Sequence, residues 1–186
     1  MPFTFVSGNL ALDFAGTLQH RDTAPTDLLS SAGRLREWWT AAGLVDSPPQ
    51  VSEVEFARAV AVREAVYRLA LAAATGGPRS QADVDLVNEA AAAPPVTALL
   101  TRDGVRRTGP AQAVIASIAR DAVGLLGGAD AARIRECEDP PCTRLFVDTS
   151  RAGSRRWCDM SGCGNRAKAA GFRARRTTAG PAGQGG

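Results

Sequence analysis

All four cysteines of the chain lie in its last third, as Cys137-x4-Cys142-x15-Cys158-x4-Cys163, and the 136 residues before them contain none. Thiolates are soft ligands, and four of them complete the tetrahedral shell of a structural zinc ion. Two short pairs separated by 15 residues fit one site, each pair delivering two sulfurs from a tight turn. With four ligands and no open position, one such ion has a structural rather than a catalytic role. The only histidine, His20, is far from the cluster in sequence. The start Met1-Pro2-Phe3-Thr4-Phe5 lacks a basic stretch followed by an apolar one, and no uncharged apolar run approaches about 18 residues. A cytoplasmic setting with no membrane contact is the expectation, and its reducing conditions favour metal over disulfide.

The net charge of +3 hides an asymmetry. Residues 143–176 hold nine basic side chains against Asp148 and Asp159, a local charge of +7, on an otherwise acidic chain. Eight of the nine are arginine, whose guanidinium fork suits phosphate oxygens better than a generic solubilising charge does. Candidate nucleic-acid contacts are Arg155, Arg156, Arg166, Lys168, Arg173, Arg175 and Arg176. A nucleic acid is therefore the expected partner. A purely solvated basic surface is the bland alternative.

The elements that must position these groups follow from local pattern. Residues 144–148 read as a strand, 149–154 as a turn containing Gly153, and 155–157 as the returning strand. A Ser161-Gly162 turn then delivers Cys163, and a basic helix runs over 165–176. Leu145, Phe146, Val147, Trp157 and Phe172 are its only core candidates, so this piece leans on the metal to fold. Asp148 and Ser150 are expected to hold the turn, and Asn165 to serve the local helix start. Knuckle, hairpin, second pair and helix make a treble-clef-like zinc finger.

Upstream, a strand-like piece over 3–6 turns at Ser7-Gly8 into a helix with Leu10, Phe14 and Leu18 at helical spacing, and 20–27 reads as a loop. A helix over 31–42 carries Leu35, Trp38 and Trp39. Ser52-Glu53-Val54-Glu55 is a capping box that opens a long helix with Phe56, Val60, Arg63, Tyr67 and Leu71 as its stripe and Gly76-Gly77 as its stop. A shorter helix starts at Ser80 and breaks at Pro94-Pro95. Residues 96–108 predict a β-hairpin turning at Asp103-Gly104, and Pro110 opens a last apolar helix that ends at Gly127-Gly128. The fold class expected is α+β: a mainly helical domain with a short hairpin over 1–134, the finger over 135–176, and a disordered tail over 177–186. Asn9, Asp13 and Thr17 share one face of the first helix and are candidates for a small-molecule effector site or for capping a neighbouring loop.

The strings Phe146-Val147-Asp148-Thr149-Ser150-Arg151, Arg155-Arg156-Trp157-Cys158-Asp159-Met160 and Cys163-Gly164-Asn165-Arg166-Ala167-Lys168 resemble the CGNR zinc finger family. Ser7-Gly8-Asn9-Leu10-Ala11-Leu12-Asp13-Phe14 and the helices after it are similar to the ABATE-type domain that precedes that finger. Together they cover the chain to about Arg176. The resemblance implies a bacterial stress-related transcription regulator that binds DNA through the finger, with the first domain sensing an effector or assembling oligomers. A homodimer is one expectation, since a lone short finger gains affinity by doubling. Three other classes stay open: a protein-interaction adaptor, a thiol-redox or metal sensor using the same zinc module, and an enzymatic body. No phosphate loop, dinucleotide glycine pattern or nucleophile motif supports an enzyme, so none is expected.

Overall fold

A computed structural model describes residues 3–178, with side chains described as far as Arg173. The fold is α+β. Helices α1 (Leu10–Ala15), α2 (Ala32–Ala41), α3 (Glu53–Thr75), α4 (Gln81–Ala92) and α5 (Ala111–Gly127) form the body, and α6 (Asn165–Thr178) closes the chain. Three antiparallel pairs accompany them: β1 (Leu18–Gln19) with β2 (Thr26–Asp27), β3 (Thr97–Thr101) with β4 (Gly104–Thr108), and β5 (Ile134–Glu136) with β6 (Leu145–Val147). No helix among the described residues is long and apolar enough to cross a membrane.

The six residues of α1 pack against both α3 and α5, and all but Leu10 are buried. Asn9 caps its start by accepting from the Leu12 amide, and Asp121 of α5 accepts from the Ala11 amide. The helix stops well short of Leu18. A Cβ on Gly16 would lie 2.9 Å from the Arg144 guanidinium, so a close approach of the C-terminal region fixes the turn there. Leu18 belongs to β1, whose partner β2 falls in the stretch expected as loop. Residues 3–6 form no strand; Phe5 packs instead on Trp38, with ring centroids 5.8 Å apart.

The Ser52–Glu55 capping box forms, and α3 ends on Gly76 in the left-handed conformation, φ 70°. Its buried face is not the expected stripe. Ala59, Val62, Ala65, Val66, Leu69 and Ala70 are buried, while Phe56, Val60, Tyr67 and Leu71 are only partly covered. Small residues face inward because neighbouring elements crowd this helix closely, and the larger ones sit on its flanks. Arg63 is the polar exception on the buried side. It donates to both Asp27 oxygens at 2.7 and 2.9 Å and to Glu64 at 2.9 Å, which ties β2 to α3. Arg21 adds a bond to Glu64 and lies over the Tyr67 ring. Trp38 and Trp39 are wholly core.

The β3–β4 hairpin forms with all ten strand residues exposed. Its loop is Arg102-Asp103, one residue earlier than expected, and Gly104, at φ 131°, pairs with Thr101.

Candidate metal centre and basic face

The strand pairing around the cysteines differs from the expected hairpin. β6 pairs with β5, upstream of Cys137, and residues 155–157 form no strand, their backbone meeting this region where the Glu138 amide donates to the Arg156 carbonyl. Ile134 explains the choice. It is fully buried in the body's core with Leu145 and Val147, an anchorage that 155–157 lacks. Alternation along β6 then turns Phe146 the other way, toward the cysteines. Cys137 and Cys142 occupy the β5–β6 connection, where the Cys137 amide donates to the Arg144 carbonyl and the Cys142 amide to the Asp139 carbonyl. Phe172, expected in the finger's core, is 55% exposed.

The second pair sits on a different device. Asp159 accepts from the Ser161 and Gly162 amides and opens a π-type turn, Met160–Gly164, that leads into α6. A Cβ at Gly164 would stand 3.0 Å from the Met160 sulfur, so the Met160 side chain packs closely over this turn. Asn165 donates to the Ser161 carbonyl and serves the turn. Asp148 accepts from the Ser150 and Arg155 amides, and Ser150 Oγ accepts from the Ser154 amide, so both hold the 149–154 turn as expected.

The four Sγ atoms lie within 4.8 Å of one another. Cys142–Cys158 and Cys158–Cys163 are 3.7 and 3.6 Å apart. Zinc–sulfur bonds of about 2.3 Å in a tetrahedron place sulfurs roughly 3.8 Å apart, so the cluster has the dimensions of a zinc site. Its electrostatics agree. Hydrogen bonds from the Cys142 and Cys158 thiols pull Cys137 down to about 2, while its proximity pushes Cys142 and Cys158 up. Burial, then the charge of Cys142, raises Cys163. Four such sulfurs ionise together only around a cation. The protein holds one structural zinc ion on Cys137, Cys142, Cys158 and Cys163.

The basic residues divide into two sets. Arg166 donates to Asp139 Oδ2 at 2.9 and 2.5 Å and to Cys163 Sγ at 3.0 Å, so it braces the metal cluster. Arg155 donates to the Val6, Trp157 and Cys158 carbonyls and lies over the Phe146 ring, so it pins the finger to the N-terminal segment. Arg156, Lys168 and Arg173 are exposed, and Arg156 pairs with Glu138 at the surface. Arg151, absent from the sequence-based set, is exposed as well. The side chains of Arg175 and Arg176 lie outside the described residues, as does most of the tail expected to be disordered.

Asn9, Asp13 and Thr17 are committed inside the fold. Asn9 caps α1. Asp13 accepts from the Val6 and Ser7 amides at 3.0 Å and lies 3.6 Å from Arg144. Thr17 donates to the Phe14 carbonyl and accepts from Arg63. Their shared spacing marks structural duty, not an open site. Sequence reasoning missed Arg144, which is buried and donates to the Thr4 and Gly16 carbonyls across the seam between body and finger. It also missed a cavity of about 220 Å³ at that seam, lined by His20, Gln19, Arg144, Arg166 and the Cys142 and Cys163 side. His20, at φ 52°, is the one non-glycine in the left-handed region among the described residues.

Two family models match the chain in succession. ABATE, described as "Putative stress-induced transcription regulator", covers residues 8–129, and the CGNR zinc finger covers residues 133–176. No curated protein matches it.

Proposed function

Because the chain belongs to the ABATE family and continues into a CGNR zinc finger, we propose that it regulates transcription by binding DNA through that finger. Residues 135–176 are the contact module, and residues 1–134 are the half that senses an effector or assembles subunits. The observation that carries this reading is the concentration of exposed basic side chains, Arg151, Arg156, Lys168 and Arg173, on a metal-held module in which Arg155 and Arg166 are bonded internally. Phosphates attract such a face without regard to sequence, and base contacts add the choice of site.

The zinc site gives rigidity at the place where α6 begins. Cys163 is a ligand and lies two residues before Asn165, so metal binding fixes the direction of the helix that carries Lys168 and Arg173. Fluorescence anisotropy of a labelled duplex with the zinc-loaded full chain, over a salt series, tests the reading. Each phosphate neutralised contributes about −0.9 to the slope of log affinity against log salt, so four contacts give roughly −3.6. Absence of binding by zinc-loaded protein at low salt would refute it.

A further inference from the structure

The finger carries a second concavity, away from the metal: a groove of about 350 Å³ with Arg156 and Trp157 on one side and Ala167, Lys168 and Gly171 of α6 on the other. We propose that this groove seats one step of the DNA backbone, with a deoxyribose against the Trp157 indole and the phosphates flanking it on Arg156 and Lys168. This inference rests on the DNA-binding reading above and specifies where and how the contact is made.

The lining matches that ligand in the kinds of chemistry it offers. A backbone step presents anion, apolar sugar and anion. The groove presents a cation, an aromatic wall beside small residues, and a second cation. Helix interiors disfavour glycine, yet Gly171 stands inside α6 and lines this groove with Trp157. Lys168 is exposed and makes no ion pair among the described residues. Arg156 is held only at the surface: its guanidinium lies 5.0 Å from the Trp157 ring centre and pairs with Glu138, both partners being about half exposed or more. Such pairs contribute little and exchange readily for a phosphate. A paired base, by contrast, would have to leave its stack to reach the indole, at a cost the backbone does not incur.

Trp157 reports on its own occupancy. Trp38 and Trp39 are 0% exposed, so acrylamide quenching of the zinc-loaded protein's tryptophan emission is a reading of Trp157. Saturation with a short unlabelled duplex should lower the quenching constant toward that of buried indoles, at the same DNA concentration that saturates anisotropy of the labelled duplex. Arg156→Ala and Lys168→Ala should each make the salt slope shallower by about 0.9. Trp157→Leu should weaken binding about five- to ten-fold with the salt slope unchanged and the zinc content retained. Zinc content is measured on each variant. If Trp157→Leu loses zinc, Trp157→Phe and the wild-type quenching decide the matter. Saturable anisotropy with unchanged acrylamide access overturns the groove and leaves DNA binding intact; no anisotropy change at low salt overturns both.

Discussion

The body and the finger reach order by different means. In the body a continuous apolar cluster runs from α1 through α2, α3 and α5, with Trp38, Trp39, Val62, Ile118 and their neighbours sealed from solvent. The finger's own cluster is three buried cysteines and Phe146, edged by Val6, Cys142 and Trp157. One region therefore rests on apolar area removed from water, the other on a metal that turns four mutually repelling sulfurs into a cross-link. Strand β6 serves both, since Leu145 and Val147 enter the body's core while Phe146 faces the sulfurs. The contrast is one of energetic source, with a shared strand at the join.

Removing the metal is the largest test of that contrast. Structural zinc contributes on the order of 10 kcal/mol to such modules. Cys158→Ser, or chelation of the wild type, should abolish order over the cysteine segments, about 137–142 and 158–164, and leave α3, α5 and the β5–β6 pair folded. Hydrogen exchange by mass spectrometry checks this: protection vanishes over the cysteine segments and persists in the body helices. If α3 loses protection at the same chelator concentration, the two regions are one cooperative unit and the comparison fails.

A smaller effect tests a buried polar device of the body. Arg63 is 2% exposed and neutralises Asp27 and Glu64. Arg63→Met strands the partly exposed Asp27 while Glu64 keeps Arg21, and should cost about 2–3 kcal/mol in urea unfolding, with zinc content unchanged. The same network sets the acid limb of stability. Burial pushes Asp27 and Glu64 up, but the hydrogen bonds and charges of Arg63 and Arg21 outweigh it and hold both below their ordinary values. Carboxyls lowered in the folded state contribute stability above their unfolded values of 3.8 and 4.5, and lose it as pH falls through the lower folded ones. Asp13 runs the other way: burial raises it despite the Ser7 amide and Arg144, so its ionised form costs stability at neutral pH. Urea midpoints between neutral and acid pH should fall in the wild type, and fall less in Arg63→Met.

What could be read from the sequence divides by range. The zinc ligands, the Ser52 cap, the 149–154 turn and the hairpin over 96–108 were legible because each depends on residues a few places apart. The partner of β6 was not. Residues 155–157 and 134–136 were both available as strands, and only the body's core, which takes Ile134, decides between them. The stripe on α3 misled because large apolar residues were taken to mark the buried side, whereas close packing places Ala59, Ala65 and Ala70 there. Arg166 was a candidate nucleic-acid contact by residue type alone, and its bond to Asp139 depends on the fold. Asp139, an acid set between the first two ligands, was the signal that Arg166 has a partner at home. Nothing local signals the cavity beside His20, which arises only when the β1–β2 loop meets the finger.

The smallest predicted effect is the sharpest on the join. Ser52 Oγ accepts from the Glu55 amide at 3.3 Å, and the Glu55 carboxylate accepts from the Ser52 amide at 2.9 Å, at the end of α3 that opens the helix. Ser52→Ala should cost about 1 kcal/mol of body stability. Since the cap touches neither cysteines nor basic face, zinc affinity by competition with a chromophoric chelator should not move. α3 does, however, pack against β5, whose connection to β6 holds Cys137 and Cys142. A weakened zinc affinity in Ser52→Ala would mean that strain at one end of α3 reaches the sulfurs through Ile134, giving the body a mechanical route to the finger. Unchanged affinity places the body's control of the finger, if it has any, at the Arg144 and Arg155 contacts instead.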